Sequence, residues 1–116
     1  MKQIVSPKNA RSYKWGENAN GWWLVDQPGL TVVEEFAPPG NAEIRHMHHQ
    51  SRQFMYVLSG EITIEVEHDT LVLKAGEGIE IPPQTYHQFR NESQDDARYL
   101  VISSPRSVND RKSFNW

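Results

Sequence analysis

Residues 40–60 read GNAEIRHMHHQSRQFMYVLSG, and they contain two strand-like runs, 44–48 and 53–58. Side chains of a strand alternate between its two faces, so His46 and His48 point the same way, with Cα atoms about 6–7 Å apart. That separation suits two nitrogen ligands of one metal ion. It also suits two surface or hydrogen-bonded core histidines, and the spacing alone does not decide between these interpretations.

Outside this stretch the chain continues as short strands separated by turn signals. Seven glycines and seven prolines interrupt it about every ten residues, and no segment has a sustained helical period. Eight or nine strands are predicted, within residues 21–25, 30–36, 44–48, 53–58, 62–67, 70–73, 79–81, 86–91 and 98–103. Many short strands with turns between them predict an all-β sandwich or barrel.

The composition excludes several classes of function. The chain has 116 residues, with 12 Lys+Arg against 15 Asp+Glu, and therefore no basic stripe for a nucleic-acid partner. The absence of cysteine excludes disulfides, cysteine nucleophiles and thiolate metal sites. No apolar run is long enough for a membrane span or a signal-peptide core, so we expect a cytoplasmic protein without a membrane partner.

Two motifs give the chain a resemblance to a known family. Residues 40–60 resemble the first cupin motif, G-x5-H-x-H-x4-E-x6-G, with Gln53 in place of the glutamate. Residues 76–91, GEGIEIPPQTYHQFRN, resemble the second motif, G-x5-P-x-G-x2-H-x3-N, with Gln84 in place of its second glycine. The resemblance implies a single cupin domain over residues 1–116, with a jelly-roll barrel (a double-stranded β-helix) at about 30–103.

The resemblance also implies a metal site inside the mouth of the barrel. Its ligands carry over, position by position, to His46, His48, Gln53 and His87. Zinc, nickel, iron(II) and manganese all accept this donor set. Three neutral imidazoles and a neutral amide leave a divalent ion its full charge, which favours an anionic oxygen such as a carboxylate, enolate or hydroxide. Alternatively, Gln53 lies beside the metal without binding it, or the site is empty.

Glutamine at position 53 is also found in the small cupins that linearise unsaturated uronates. Those proteins have an aspartate on the last barrel strand as a proton-transfer residue. In this chain Val101 stands at that position, so the implied base is absent. Glu34 or Glu35 could supply a carboxylate instead, because one of two consecutive strand residues must face inward. The alternative is that this pair lies on a solvated edge.

Alternation along the strands identifies further candidate residues. If His87 faces the metal, so does Phe89. The resemblance that puts Val101 at the aspartate position implies that Tyr99, two residues earlier on the last strand, faces the same side. Phe89 and Tyr99 are therefore the predicted substrate contacts, with plain barrel core as the alternative. The tryptophans are numerous for so short a chain, which predicts a covered surface and a homodimer, as is common among cupins of this size. They are Trp15, Trp22, Trp23 and Trp116.

Two functions of different classes follow from these features. The first is a metal-dependent enzyme of dioxygenase, isomerase or lyase type that acts on a small anionic or enolisable substrate. The second is a non-catalytic binding protein that uses its metal to hold a carboxylate or sugar acid, because fold alone does not determine chemistry. Residues 1–12 and 105–116 are expected to be mobile or to pack on a second chain.

Overall fold

Residues 3–113, the part of the chain that the computed structural model describes, form strands, turns and loops. No helix is present in this range, and so none that could cross a bilayer. The strands are β1 (Arg11–Trp15), β2 (Ala19–Gln27), β3 (Leu30–Ala37), β4 (His46–His48), β5 (Arg52–Ser59), β6 (Glu61–Val66), β7 (Asp69–Lys74), β8 (Gly78–Ile81), β9 (His87–Arg90), β10 (Ala97–Ser104) and β11 (Arg111–Ser113).

The strands form two sheets in which the paired strands run antiparallel. One sheet has the order β1-β2-β3-β10-β5-β8, and the other has the order β11-β4-β9-β6-β7. Several neighbours within a sheet are far apart in the chain; β3, for example, pairs with β10. Crossovers of this kind are typical of a jelly roll. The all-β jelly-roll prediction is confirmed.

The hydrophobic core lies between the two sheets. It consists of inward-facing residues that alternate with outward-facing ones, such as Met55 and Val57 on β5 and Ile62 and Ile64 on β6, all less than 2% exposed. Burial of side chains of this size contributes about 1.5–3 kcal/mol each to folding. Phe89 belongs to this core and also to the wall of the cavity described below. The core therefore supports the site directly.

Both ends of the described chain add a strand that the sequence did not predict. β1 pairs with β2, and β11 pairs with β4, so that Arg111 lies opposite His48. The Asp110 carboxylate anchors the second of these by accepting backbone hydrogen bonds from Gln50 at 2.9 Å and Ser51 at 2.8 Å. The end at 111–113 thus packs on this chain's own barrel, which differs from the expectation that it is mobile or covers a second chain.

The tryptophans within the described residues have partners in this chain. Trp15 packs edge-on against Phe89, with ring centroids 6.0 Å apart. The Arg98 guanidinium lies over the ring of Trp22, and Trp23 lines the cavity. Trp116 lies outside the described residues. The homodimer inferred from these tryptophans stays a prediction.

The turn before β9 is tied to the histidine-bearing strand β4. Gly40, Gly60 and Gly76 have positive φ, as their turn positions predict. Gln84, which stands where the motif has a glycine, keeps the same left-handed conformation with φ 61°. Its backbone N–H donates to the carbonyl of His48 at 2.7 Å. The turn thereby helps to hold β4 beside β9.

Candidate metal centre

Three imidazoles meet between strands β4 and β9. His46 lies directly opposite His87 in the β4–β9 pairing, and His48 follows two residues later on the same face of β4. One ring nitrogen of each lies within 4.8 Å of those of the other two. All three side chains are buried. The arrangement predicted from the His-x-His spacing and the later histidine is thus present.

The hydrogen bonds of two rings determine which nitrogen is free. His46 Nδ1 lies 2.8 Å from the carbonyl oxygen of Ile44, and His87 Nδ1 lies 2.9 Å from that of Thr85. A carbonyl only accepts, so each Nδ1 carries the proton and donates it. The Nε2 atoms of both rings therefore keep their lone pairs, which is the form that binds a metal.

Burial keeps all three histidines uncharged at neutral pH. Loss of hydration, reinforced by the nearby His87, lowers the pKa of His46 to about 3 and that of His48 to about 4. Burial likewise lowers the pKa of His87. Metal binding requires a neutral imidazole, so the site needs no deprotonation before it binds a cation.

The unpartnered nitrogens show that these residues fit a metal ion. Among the described residues, both ring nitrogens of His48 and Nε2 of His87 are buried without a hydrogen-bond partner. A buried polar atom left unpaired costs about 1–3 kcal/mol, so a group of them points to a ligand such as a cation. A divalent cation at the three histidines would take one ring nitrogen from each of them, including Nε2 of His87 and one of the two unpartnered nitrogens of His48.

Gln53 lies on β5 with its amide already oriented. Its Nε2 donates a hydrogen bond to Oγ of Ser103 at 2.9 Å, directly across the β5–β10 pairing. That bond leaves Oε1 as the amide atom that could serve as a further ligand. Gln53 and two of the three histidines line the same cavity. Coordination by Gln53 stays a prediction.

The histidines open onto a cavity of about 470 Å³ with aromatic walls. Cavities of this size suit a small-molecule ligand. The aromatic lining comes from both sheets: Tyr13, Trp15 and Trp23 on one side and Phe89 on the other. A planar, unsaturated molecule could contact these rings face-on or edge-on.

The structure answers which of the two consecutive glutamates faces inward. Glu34 pairs with Arg98 on the outer face, with Nη1 and Oε2 2.8 Å apart. Glu35 lines the cavity and accepts a hydrogen bond from the hydroxyl of Tyr13. Burial raises the pKa of Glu35 to about 7, against an opposing effect of the Tyr13 hydrogen bond. The cavity therefore contains a carboxyl group that titrates near neutrality.

Two more charged groups border the cavity. Glu43 Oε1 lies 3.6 Å from His46 Nδ1, and burial with the nearby Glu35 charge raises the pKa of Glu43 well above its ordinary range. Arg111 on β11 lies near enough to both glutamates and all three histidines for its charge to lower their pKa values. It gives this side of the cavity a positive charge.

The predicted substrate contacts occupy different places. Phe89 is part of the cavity wall, 5% exposed. Tyr99 is fully buried behind it, with ring centroids 5.1 Å apart, and lies opposite Glu35 in the β3–β10 pairing. That the two contact a substrate stays a prediction. Sequence reasoning missed Tyr13, Glu43 and Arg111; of these, only the alternation of Tyr13 with Trp15 was visible as a weak strand signal.

The fold and the three-histidine group define a jelly-roll protein with a candidate metal centre in its barrel. The sequence model of the cupin domain matches residues 32–103, more than half of the chain. The chain belongs to the cupin family. This agrees with both motifs, and the two glutamines at positions 53 and 84 are variations within it.

Two curated relatives, both from Streptomyces, are similar to this chain over about two thirds of its length. The chain is 34% identical over 77 residues to the polyketide synthase CurC of Streptomyces cyaneus, which is 66% of this chain and 47% of that protein. It is 31% identical over 77 residues to the protein SchB of Streptomyces halstedii, covering 66% and 53%. The chain thus spans about half the length of these curated relatives.

Solved structures show the same fold at low identity. The polyketide cyclase RemF of Streptomyces resistomycificus superposes with a TM-score of 0.86 at 18% identity, over 100% of this chain and 87% of that one. KdgF from Halomonas sp. superposes with a TM-score of 0.84 at 19% identity, over 94% and 98%. At such identity these likenesses establish the fold and nothing more specific.

Proposed function

We propose that this protein is a divalent-metal-dependent cupin enzyme that acts on an enolisable β-dicarbonyl compound of the polyketide type. The observation that carries the proposal is the group of three neutral histidines, with unpartnered buried nitrogens, at an aromatic-walled cavity. A cation held there by His46, His48 and His87, with Gln53 as a further ligand, would supply Lewis-acid stabilisation of negative charge on a carbonyl oxygen.

The residues of the cavity favour this class of substrate. The aromatic walls suit a planar conjugated enol, and the Arg111 guanidinium favours an anionic form over a neutral one. The absence of a carboxylate among the candidate ligands keeps the centre more positive than the usual cupin site, which also favours an anionic form of the substrate. Phe89 and Trp15, which contact each other edge-on, would exclude water from the part of a bound molecule that lies against them.

The names of two similar proteins also support a substrate of the polyketide type. One curated relative is named as a polyketide synthase protein, and one structural neighbour is named as a polyketide cyclase. A cyclisation of a poly-β-carbonyl chain begins with the loss of a proton from a carbon between two carbonyls. A site that stabilises the resulting negative charge on oxygen could serve such a step.

Exchange of an acidic C–H is the direct test. Ethyl 2-methyl-3-oxobutanoate in D2O, followed by proton NMR, reports loss of its C2 hydrogen without requiring the natural substrate. We expect protein reconstituted with zinc, nickel, manganese or iron(II) to accelerate exchange above the buffer rate with at least one metal, and chelation to abolish this. Bovine serum albumin with the same metal serves as the protein background.

A non-catalytic role is the outcome if exchange is not accelerated. Calorimetry with the metal-loaded protein and acetate or galacturonate would then decide whether the site only holds a carboxylate or sugar acid. Binding without exchange would contradict the enzyme proposal and favour the binding protein. Exchange at a rate that saturates with the ester would support the enzyme.

A further inference from the structure

We propose that Glu35 is the general base of this site and that Tyr13, which reaches Glu35 across Gly21, is the residue that positions it. The proposal deepens the function proposed above and rests on it. No motif marks either residue. The assignment comes from their arrangement across three strands.

One row of paired residues crosses the first sheet and ends in the cavity. Tyr13 on β1 lies opposite Gly21 on β2, Gly21 lies opposite Glu35 on β3, and Glu35 lies opposite Tyr99 on β10. The Tyr13 hydroxyl donates to the Glu35 carboxylate although β2 lies between their strands. The missing side chain at Gly21 permits this, because a Cβ there would lie 2.1 Å from Tyr13 Cζ and 2.4 Å from its hydroxyl oxygen.

Four charged or titratable groups from other parts of the fold interact with Glu35. They are Tyr13 on β1, Tyr99 on β10, Glu43 before β4 and Arg111 on β11. Burial raises the pKa values of both tyrosines, so they stay neutral near pH 7, and Tyr13 acts as a donor. Arg111 and the Tyr13 hydrogen bond favour the carboxylate, whereas burial favours the acid, and the pKa of Glu35 is about 7. A group that titrates near the working pH is suited to proton transfer in both directions.

The proton transfer balances within the site. The Glu35 carboxylate takes a proton from a carbon between two carbonyl groups, and becomes a neutral carboxylic acid. The electron pair of the broken C–H bond forms a carbon–carbon double bond, while a carbonyl π pair moves onto its oxygen. Glu35 then returns the proton to the product or to water. No oxidant or reductant is required.

Glu34 provides a matched control for the first test. Glu34→Gln and Glu35→Gln make the same chemical change at adjacent positions, one on the outer face and one in the cavity. In the deuterium-exchange assay we expect E35Q to lower the rate at least about 100-fold and E34Q to leave it within twofold. Metal content, measured by elemental analysis, should be the same in both variants.

The outcomes of this test separate the two proposals. If the wild-type protein accelerates exchange and E35Q does so equally, the assignment of Glu35 is wrong while the proposed function stands. If the wild-type protein does not accelerate exchange, both proposals fail.

A second test follows the titration of Glu35, and its first part needs neither metal nor substrate. Infrared difference spectra of the metal-free protein, recorded from pH 5 to 9, should contain a carboxyl band that titrates near pH 7 in the wild type and E34Q but not in E35Q. Tyr13→Phe removes the donor that favours the carboxylate, so it should move both this midpoint and the rise of the exchange rate to higher pH. Loss of rate in Y13F without a shift of the pH profile would contradict the positioning role.

Discussion

The hydroxyl of Tyr13, on the edge strand β1, donates a hydrogen bond to the Glu35 carboxylate on β3. The two residues are not on neighbouring strands, and the contact depends on the empty space at Gly21 between them. An edge strand thereby contributes to the interior of the barrel. Changes at this contact are therefore expected to alter the stability of the protein and the pKa of the Glu35 carboxyl group.

Gly21→Ala should break this contact. The added methyl group would overlap the Tyr13 ring, so Tyr13 or β1 must move, at a cost of about 1–3 kcal/mol in the free energy of unfolding. Gly29→Ala is the control, because a Cβ there has no neighbour within 4 Å. Urea denaturation measures both. Equal stability of the two variants would mean that the space at Gly21 is unimportant.

Glu35→Gln should stabilise the metal-free protein at alkaline pH. The folded-state pKa of Glu35 is raised from 4.5 to about 7, so the native state holds its proton more tightly than the unfolded state. Wild-type stability from this group is fully present below pH 4.5 and is lost as the pH rises to about 7 and above, by about 3 kcal/mol. Between pH 5 and 8, the free energy of unfolding of E35Q should therefore rise by about 2–3 kcal/mol relative to that of the wild type. Urea denaturation of the wild type and E35Q at each pH checks this, and a difference that does not grow between pH 5 and 8 would contradict it.

Gln84→Gly should stabilise the fold slightly. A non-glycine residue in the left-handed region, such as Gln84, costs about 1–2 kcal/mol. Glycine removes this strain, but part of the gain is offset because glycine loses more conformational entropy on folding. We expect a gain of about 0.5–1 kcal/mol, seen as a rise of a few degrees in Tm. Gln94→Gly, at an exposed position without positive φ, should instead lower Tm. A fall in Tm for Q84G would show that its side chain has an unrecognised role.

Gln53→Glu tests the fourth ligand. If Gln53 binds the metal, a carboxylate at this position should raise the affinity for zinc about tenfold or more, because it adds a negative charge to the ligand set. Ser103 can donate its hydroxyl to the new carboxylate in place of accepting from the amide. Calorimetric titration of the chelator-treated protein gives the comparison. Unchanged affinity would indicate that Gln53 lies beside the metal without binding it.

Much of the site could be predicted because its signal is local. His46 and His48 share a face by strand alternation, and the spacing of the second motif brings His87 to the same place. Strands β2 to β10 are marked by turn residues that act over a few positions. Such features can be recognised in the sequence without knowing which strands pair.

The remaining features depend on contacts distant in sequence. Strand β11 has three residues and is identified by its partner β4, more than sixty positions away. On β3 both faces carry apolar residues, Val33 inside and Val32 outside, so hydrophobic alternation did not reveal that Glu35 is the inward glutamate. The Tyr13–Glu35 contact requires the register of three strands at once, which no local pattern contains.

Elemental analysis of two neighbouring variants shows whether the three histidines hold a metal ion. His48 is buried in the group, whereas His49 is exposed on the other face of the chain. After reconstitution and desalting, the wild type and His49→Ala should each contain about one divalent metal per chain, and His48→Ala less than about a tenth. Equal metal in H48A and H49A, or none in the wild type, would mean that the three histidines do not form a metal site.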